Sequence, residues 1–325
     1  MIEASHLVRH YPVVTGLRSL FSSDRNKLVR AVDGISFQVD GGKVLGIVGE
    51  SGCGKSTTAK MLVGLENPTS GQIRIDNNDL SGLRQTDRKA FHRQMQMVFQ
   101  DPYGSINPSH DVFEIVSRPL VYQGEKDTDK IRDAVLDAMV RVGLNPPEIY
   151  LGKHPHLLSG GQRQRLCIAR AIILKPRFLV ADEPISMLDV SIKWDIIRLL
   201  RKLVRESEMS LVYITHDLAT VPTICDDLAI MYLGKIVEIG PSKQILRNPQ
   251  HPYTRALIAS IPSTTPGATR AAADIKGALP DAINPTQGCR FYDRCPIAVA
   301  ECANRPPELR GVQGHDVSCH LAGET

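Results

Sequence analysis

An α/β fold with a parallel sheet is predicted by three short apolar runs, each ending at chemically active residues, with helical pattern between them. The runs are KVLGIVG (43–49), RFLVADE (177–183) and LVYITHD (211–217). Each has the length and β-branched content of a strand buried on both faces. Sheets of this kind carry their ligands at the carboxyl ends of the strands.

With 325 residues the chain has room for one large domain and an appendage, or for two domains. Its 42 % hydrophobic content suits a globular protein with a substantial core. The 39 basic and 35 acidic residues nearly balance, and a net charge of +4 is too weak for a nucleic-acid footprint, so no nucleic-acid partner is expected. No apolar stretch approaches the ~18–20 residues that cross a bilayer. The start, MIEASHLVRHYP, lacks the apolar core and cleavage site of a signal peptide. A cytoplasmic chain that reaches a membrane only through partners is expected.

Residues 1–42 read as short extended segments, with a polar, basic insertion at 13–30 read as a solvated loop. GESGCGKST (49–57) follows the first buried run and fits G-x-x-x-x-G-K-[ST] through Gly49, Gly54, Lys55 and Ser56. A glycine-rich turn lets backbone N–H groups approach phosphates, and the helix behind it presents its positive end to them. Lys55 is expected to reach the β- and γ-phosphates and Ser56 to ligate Mg²⁺. Glu50, Ser51, Gly52, Cys53 and Thr57 complete the ATP-binding loop. Cys53 stands at a helix N-terminus near Lys55, which is expected to lower its thiol pKa and raise its reactivity.

From about 101 to 157 the β signal fades. DKIRDAVLDAMVRVGL spaces Ile131, Val135, Met139 and Val142 at helical intervals, with Gly143 near the end, which predicts a mostly helical insert. LSGGQ (158–162) then opens a helix in which Leu166, Ala169 and Ile173 share one face and which Pro176 stops. Ser159 is a natural N-cap. The glycines Gly160 and Gly161 have no obvious packing logic at a helix start; they make sense if the backbone must approach another group closely.

An Asp-Glu pair ending a strand is often only an acidic surface. After a phosphate loop and LSGGQ, Asp182 reads as the Mg²⁺ carboxylate and Glu183 as the group that polarises the attacking water. His216 and Gln100 are unremarkable alone, and their assignment rests on their place in the set. Tyr11 either packs within a strand or stacks on an adenine ring. Residues 262–287, rich in Pro, Ala, Thr and Gly, read as a linker or irregular segment.

Cys53, Cys167 and Cys225 are scattered, but Cys289, Cys295, Cys302 and Cys319 fall within the last 37 positions. In a reducing cytosol such a cluster suggests a metal or an iron–sulfur group. The four are separated by five, six and sixteen residues, with none of the close pairs usual in structural zinc sites and no familiar ferredoxin pattern.

Taken in order across residues 1–240, these motifs resemble those of the ATP-binding cassette (ABC) ATPases. The resemblance implies a RecA-like core with an antiparallel β lobe and a helical subdomain at about 101–159. It also implies two cassettes closing head to tail on two ATP molecules. Ser159, Gly160, Gly161 and Gln162 would then reach the γ-phosphate held by the partner. Asp189 matches the dimer-interface loop, His216 the switch histidine, and Gln100 the glutamine that senses Mg²⁺ and the membrane partner. In ISMLD (185–189), Met187 replaces the small residue expected there.

QHPYTRALIASIP (250–262), the cysteine tail, VFQDPYGSINP (98–108) and IMYLGKIVEIG (230–240) narrow the resemblance to the dipeptide/oligopeptide importer ATPases, closest to the second of their two ATPase subunits. It implies a nucleotide-binding domain at 1–262 and a C-terminal extension at 263–325, with a 4Fe–4S cluster on the four cysteines, structural zinc being the alternative. It implies as partners a second cassette, in a heterodimer, two membrane permeases and, indirectly, an extracytoplasmic solute-binding protein, with this chain peripheral on the cytoplasmic face of the inner membrane. The rival readings are a soluble ABC ATPase of ribosome remodelling or DNA repair, and a redox- or metal-sensing role for the tail. The solute stays open among peptides, nickel complexes, sugars and opines.

Overall fold

The computed structural model describes residues 1–13, 27–76, 78–261, 275–277, 280, 282–283 and 285–323. Most of the insertion expected at 13–30, and much of the linker expected at 262–287, lie outside these residues.

Two sheets form the framework. The smaller is antiparallel, in the order β2 (Leu28–Val39), β1 (Ile2–Pro12), β4 (Ser70–Ile75) and β5 (Asn78–Asp79). The extended segments expected as short are therefore strands of 11 and 12 residues, pinned along their length by pairing with each other.

The larger sheet runs β11 (Arg310–Val312), β12 (His315–Val317), β10 (Lys235–Pro241), β9 (Asp227–Tyr232), β3 (Val44–Val48), β8 (Ser210–Thr215), β7 (Phe178–Asp182) and β6 (Met95–Val98). From β9 to β6 the neighbours are parallel, as the three apolar runs require. Every residue of β3, β7 and β8 is buried. Their alternate side chains enter two separate cores, the strand period of two made visible. Val44, Val48, Leu179, Ala181, Leu211 and Tyr213 face one core, while Leu45, Ile47, Phe178, Val180, Val212 and Ile214 face the other.

The helices are α1 (Lys55–Leu62), α2 (Leu80–Thr86), α3 (Arg88–Gln94), α4 (Val112–Gln123), α5 (Thr128–Arg141), α6 (Gly160–Ile172), α7 (Val190–Ser207), α8 (Val221–Ile224), α9 (Ser242–Arg247), α10 (Pro252–Ala259) and α11 (Ala300–Asn304). α4 starts in a reciprocal cap between Asp111 and Glu114 and stops at Gly124 with φ 98°. α5 starts at Asp127, whose side chain accepts from two backbone N–H groups, and buries Ile131, Val135, Ala138 and Met139. α7 buries Ile196, Ile197, Leu200, Leu203 and Val204, a stripe of helical period against the sheet.

The tail is built into the larger sheet. β12 pairs antiparallel with β10, matching Glu238 to Val317 and Ile239 to Asp316. Phe291 enters the core that Val44, Val48, Leu211 and Tyr213 face. Short strand β6 and the tail strands carry too few apolar residues to be recognised by pattern, and only sheet pairing defines them.

Candidate active site at the strand ends

The site sits where β3, β7 and β8 end. α1 begins at Gly54, whose φ of 107° is the left-handed geometry that favours glycine. A Cβ there would stand 2.0 Å from the Ala31 carbonyl oxygen, so no larger residue fits. The turn opens on a cavity of about 540 Å³ lined by Ala31, Ser51, Gly52, Gly54, Lys55, Ser56, Thr57, Gln100, Glu183 and His216. A cavity of about 470 Å³ between Gly64, Arg84 and Phe91 holds none of the motif residues.

Lys55 is buried, and its Nζ donates to the carbonyls of Gly49 at 2.8 Å and Glu50 at 2.9 Å. Gly49, Glu50 and Cys53 form the underside of the loop and do not line the cavity. Ser56 Oγ donates to Asp182 Oδ1 at 3.3 Å. Burial pushes the Asp182 carboxyl up, partly opposed by the Ser56 hydroxyl. A hydroxyl and a desolvated carboxylate side by side are the hard-oxygen pair that Mg²⁺ takes.

Glu183 is gripped on both oxygens. Gln100 Nε2 donates to Oε2 at 3.1 Å, and His216 Nδ1 lies 3.2 Å from Oε1. Its backbone sits at φ 45°, with the Glu183 N–H donating to the Ile214 carbonyl at 2.9 Å. The side chain is thereby turned off the end of β7 into the cavity. Left-handed geometry at a non-glycine residue costs about 1–3 kcal/mol and gathers at working sites.

LSGGQ lies elsewhere. Ser159 caps α6 reciprocally, its hydroxyl accepting from the Gln162 N–H at 3.3 Å while Gln162 Oε1 accepts from the Ser159 N–H at 3.0 Å. None of Ser159, Gly160, Gly161 and Gln162 lines the cavity. Gly161 does have a packing reason that its sequence conceals: a Cβ would meet Ile192 Cγ2 of α7 at 2.7 Å. Asp189 is exposed at the start of α7, between exposed Met187 and Val190.

One expectation changes. Cys53 is fully buried, and burial raises its thiol pKa, outweighing the opposite pull of Lys55; the activated thiolate expected there is wrong. Tyr11 does not line the cavity: its hydroxyl donates to Glu66, and the Arg9 guanidinium stands 4.5 Å over its ring.

Burial raises the pKa of Cys289 to about 12 and those of Cys295 and Cys319 as well, and each thiol is within electrostatic reach of others in the set, Cys302 included. Among the described residues no three His, Cys, Asp or Glu side chains form a group able to hold a metal ion.

Sequence reasoning missed the supports of the loop. Ala31 comes from the antiparallel sheet, Tyr253 OH accepts from the Glu50 N–H at 3.0 Å, and Arg294 reaches the Glu50 carboxylate. No local pattern signals these long-range contacts.

Residues 32–186 match the ABC transporter family model, and 237–302 the model of the oligopeptide/dipeptide transporter C-terminal region. The chain is 42% identical over 322 residues, 99% of its length and 98% of the relative's, to the di/tripeptide transport ATP-binding protein DppF of Pseudomonas aeruginosa. It is 41% identical to the oligopeptide transport ATP-binding protein OppF of Escherichia coli, covering 98% of this chain and 95% of the other. Among solved structures, the ATP-binding cassette MJ0796 bound to ADP and Pi superposes with a TM-score of 0.64 at 26% identity, covering 74% of this chain and 99% of that one. CbiO1 of Clostridium perfringens gives 0.65 at 30% identity, covering 76% and 90%. With a phosphate loop, a gripped glutamate and this C-terminal region in one chain, the protein belongs to the ABC transporter ATP-binding subunits of the oligopeptide/dipeptide group.

Proposed function

We propose that this chain hydrolyses ATP to drive import of peptides or related small solutes, as one of two cassettes beneath a pair of membrane permeases. The grip of Gln100 and His216 on Glu183, over the Ser56–Asp182 pair, carries the hydrolytic part. Near-full-length similarity to di/tripeptide and oligopeptide transport subunits carries the transport part.

In this mechanism the loop N–H groups and Lys55 hold the β- and γ-phosphates, orienting the terminal phosphoryl group for in-line attack. Ser56 and Asp182 would hold Mg²⁺, with Gln100 beside them, and the ion would offset phosphate charge. Glu183, kept in one rotamer by its two partners, orients the attacking water and accepts its proton. His216, mostly exposed, is free to meet the γ-phosphate. Tyr11 is left with one ring face for adenine, the other being under Arg9.

Ser159–Gln162 stand off this cavity, which supports a second cassette delivering its own such segment, and the exposed loop around Asp189 gives that contact a surface. We assign the partner as a different cassette, in a heterodimer on the cytoplasmic face of the membrane, fed indirectly by an extracytoplasmic solute-binding protein. No helix among the described residues is long and apolar enough to cross a membrane.

For the tail we propose a 4Fe–4S cluster on Cys289, Cys295, Cys302 and Cys319, with structural zinc the second reading. Cys289, Cys295 and Cys319 each lie within electrostatic reach of other cysteines in the set, Cys302 among them, which supports gathering the four on one group; binding would have to displace their protons. The cluster would act as a staple in a tail poor in large apolar residues.

Copurification from membranes tests the whole: two integral membrane proteins and a second cassette should accompany this chain, whereas ribosomes or nucleic acid would sink the importer reading. Anaerobically purified protein should be brown, with iron and acid-labile sulfide in equal amounts. Colourless protein with one zinc per chain would replace the cluster by zinc.

A further inference from the structure

The cysteine-bearing tail is strutted to the start of the phosphate loop. Residues 288–295 fold into a tight knuckle. In it the Tyr292 N–H donates to the Cys289 carbonyl at 3.0 Å, the Arg294 N–H to Phe291 at 3.0 Å, and the Cys295 N–H to Tyr292 at 3.2 Å. The Cys289 N–H crosses to the Cys302 carbonyl at 2.7 Å, and a Cβ on Gly288 would lie 2.3 Å from that same oxygen. Phe291 anchors the knuckle, its ring centroid 5.3 Å from that of Tyr232 and 5.5 Å from that of Tyr253.

This fold aims Arg294 inward. Its side chain is only 10% exposed, and Nη1 lies 3.1 Å and 3.0 Å from the two oxygens of Glu50 and 3.4 Å from the Tyr232 hydroxyl. Glu50 is thus held twice from the tail side, by Arg294 on its carboxylate and by Tyr253 on its backbone N–H. Its own carbonyl, with that of Gly49, seats Lys55 Nζ. A continuous line of hydrogen bonds therefore runs from Arg294, next to Cys295, through Glu50 to Lys55.

We propose that Arg294 is a positioning residue for nucleotide binding, making the folded cysteine knuckle a condition of full ATP affinity. The inference rests on the reading of Gly49–Thr57 as the phosphate loop. A charge-assisted bond largely shielded from water holds its geometry better than an exposed ion pair. Lys55 engages the phosphates before and during the reaction, so loosening its seat removes uniform binding: KM and Kd rise while kcat changes little.

The test measures Kd with a fluorescent ATP analogue on the full-length chain, and KM and kcat in the assembled transporter. The variants are Arg294→Gln, Arg294→Lys, Glu50→Gln and the double Arg294→Gln/Glu50→Gln. Arg294→Gln should raise Kd and KM roughly five- to tenfold, the order of one charge-assisted bond acting at one remove. Arg294→Lys should restore part of the loss, Glu50→Gln should reproduce it, and the double should be no worse than either single. Affinity within twofold of the parent in folded Arg294→Gln, or single effects that multiply in the double, would overturn the proposal. If Arg294→Gln does not fold, Glu50→Gln decides alone, unchanged affinity being the refutation. Lys55→Ala is the control: undiminished ATP binding there would remove the loop reading itself, and the strut with it.

Discussion

The His315 imidazole meets the Glu238 carboxylate at 2.7 Å, Nε2 to Oε1, with both side chains completely buried. Glu238 also accepts from the backbone N–H groups of Gln250 at 2.7 Å and His251 at 3.1 Å. One carboxylate therefore ties together β10, the entry to α10 and tail strand β12. Replacing His315 by Ala leaves the acid short of a donor it cannot recover from water. Loss of a hydrogen bond to a charged group costs about 1.5–3 kcal/mol. His315→Ala should lower the urea midpoint accordingly, and an unchanged midpoint would show that the two backbone donors suffice.

Acid should weaken the fold through His251. The ring is wholly buried, its Nδ1 accepts from the Tyr253 N–H at 3.1 Å, and burial, reinforced by nearby Arg255, depresses its pKa from 6.5 to about 3. Above pH 6.5 both the folded and unfolded chains hold it neutral, so it contributes no pH dependence. Below that, the unfolded chain takes up a proton that the native state refuses until about pH 3, and stability falls. The slope is up to about 1.4 kcal/mol per pH unit for one proton. Urea unfolding between pH 7 and 4 should show this component, and His251→Asn should flatten it. An identical slope in that variant would locate the acid sensitivity elsewhere.

Glu183→Gln should retain ATP binding and lose most turnover. The amide preserves the shape between Gln100 and His216 but cannot accept the water's proton. Losses of this kind run to about 10²–10⁴-fold. Single-turnover hydrolysis beside equilibrium nucleotide binding makes the separation, and turnover near the parent rate would reassign the base.

Cys53 should resist alkylation in the folded protein. Its Sγ packs against Gly49, only 2.7 Å from where a Cβ there would stand, and its raised pKa keeps the thiol protonated at neutral pH. Timed labelling read by mass spectrometry should find Cys53 unmodified until urea unfolds the chain. Rapid labelling of native protein, blocked by MgATP, would restore an activated thiolate.

What the sequence disclosed and what it concealed divide along range. Lys55, Ser56 and Glu183 are legible because a loop, a strand end and a helix start impose their residue types within a few positions. Cys53 misled because helix position and Lys55 can be read locally, whereas the burial that outweighs them cannot. Arg294 and Glu50 lie 244 positions apart, and nothing at either marks the other. Gly161 was legible as a glycine that mattered, but its packing reason, Ile192, belongs to a helix that the chain reaches only later.

The pairing of β12 with β10 also has a consequence for solubility. β10 is seven residues long, and without the tail its outer backbone groups would form an open sheet edge, an invitation to pair with another molecule. With the tail in place, the sheet ends instead in β11, three residues long and beginning with exposed Arg310. The middle of that border, at Glu238 and Ile239, is thereby closed by the tail. A chain cut before residue 288 should therefore form soluble oligomers or aggregate at concentrations where the full chain does not, even with every phosphate-loop residue intact.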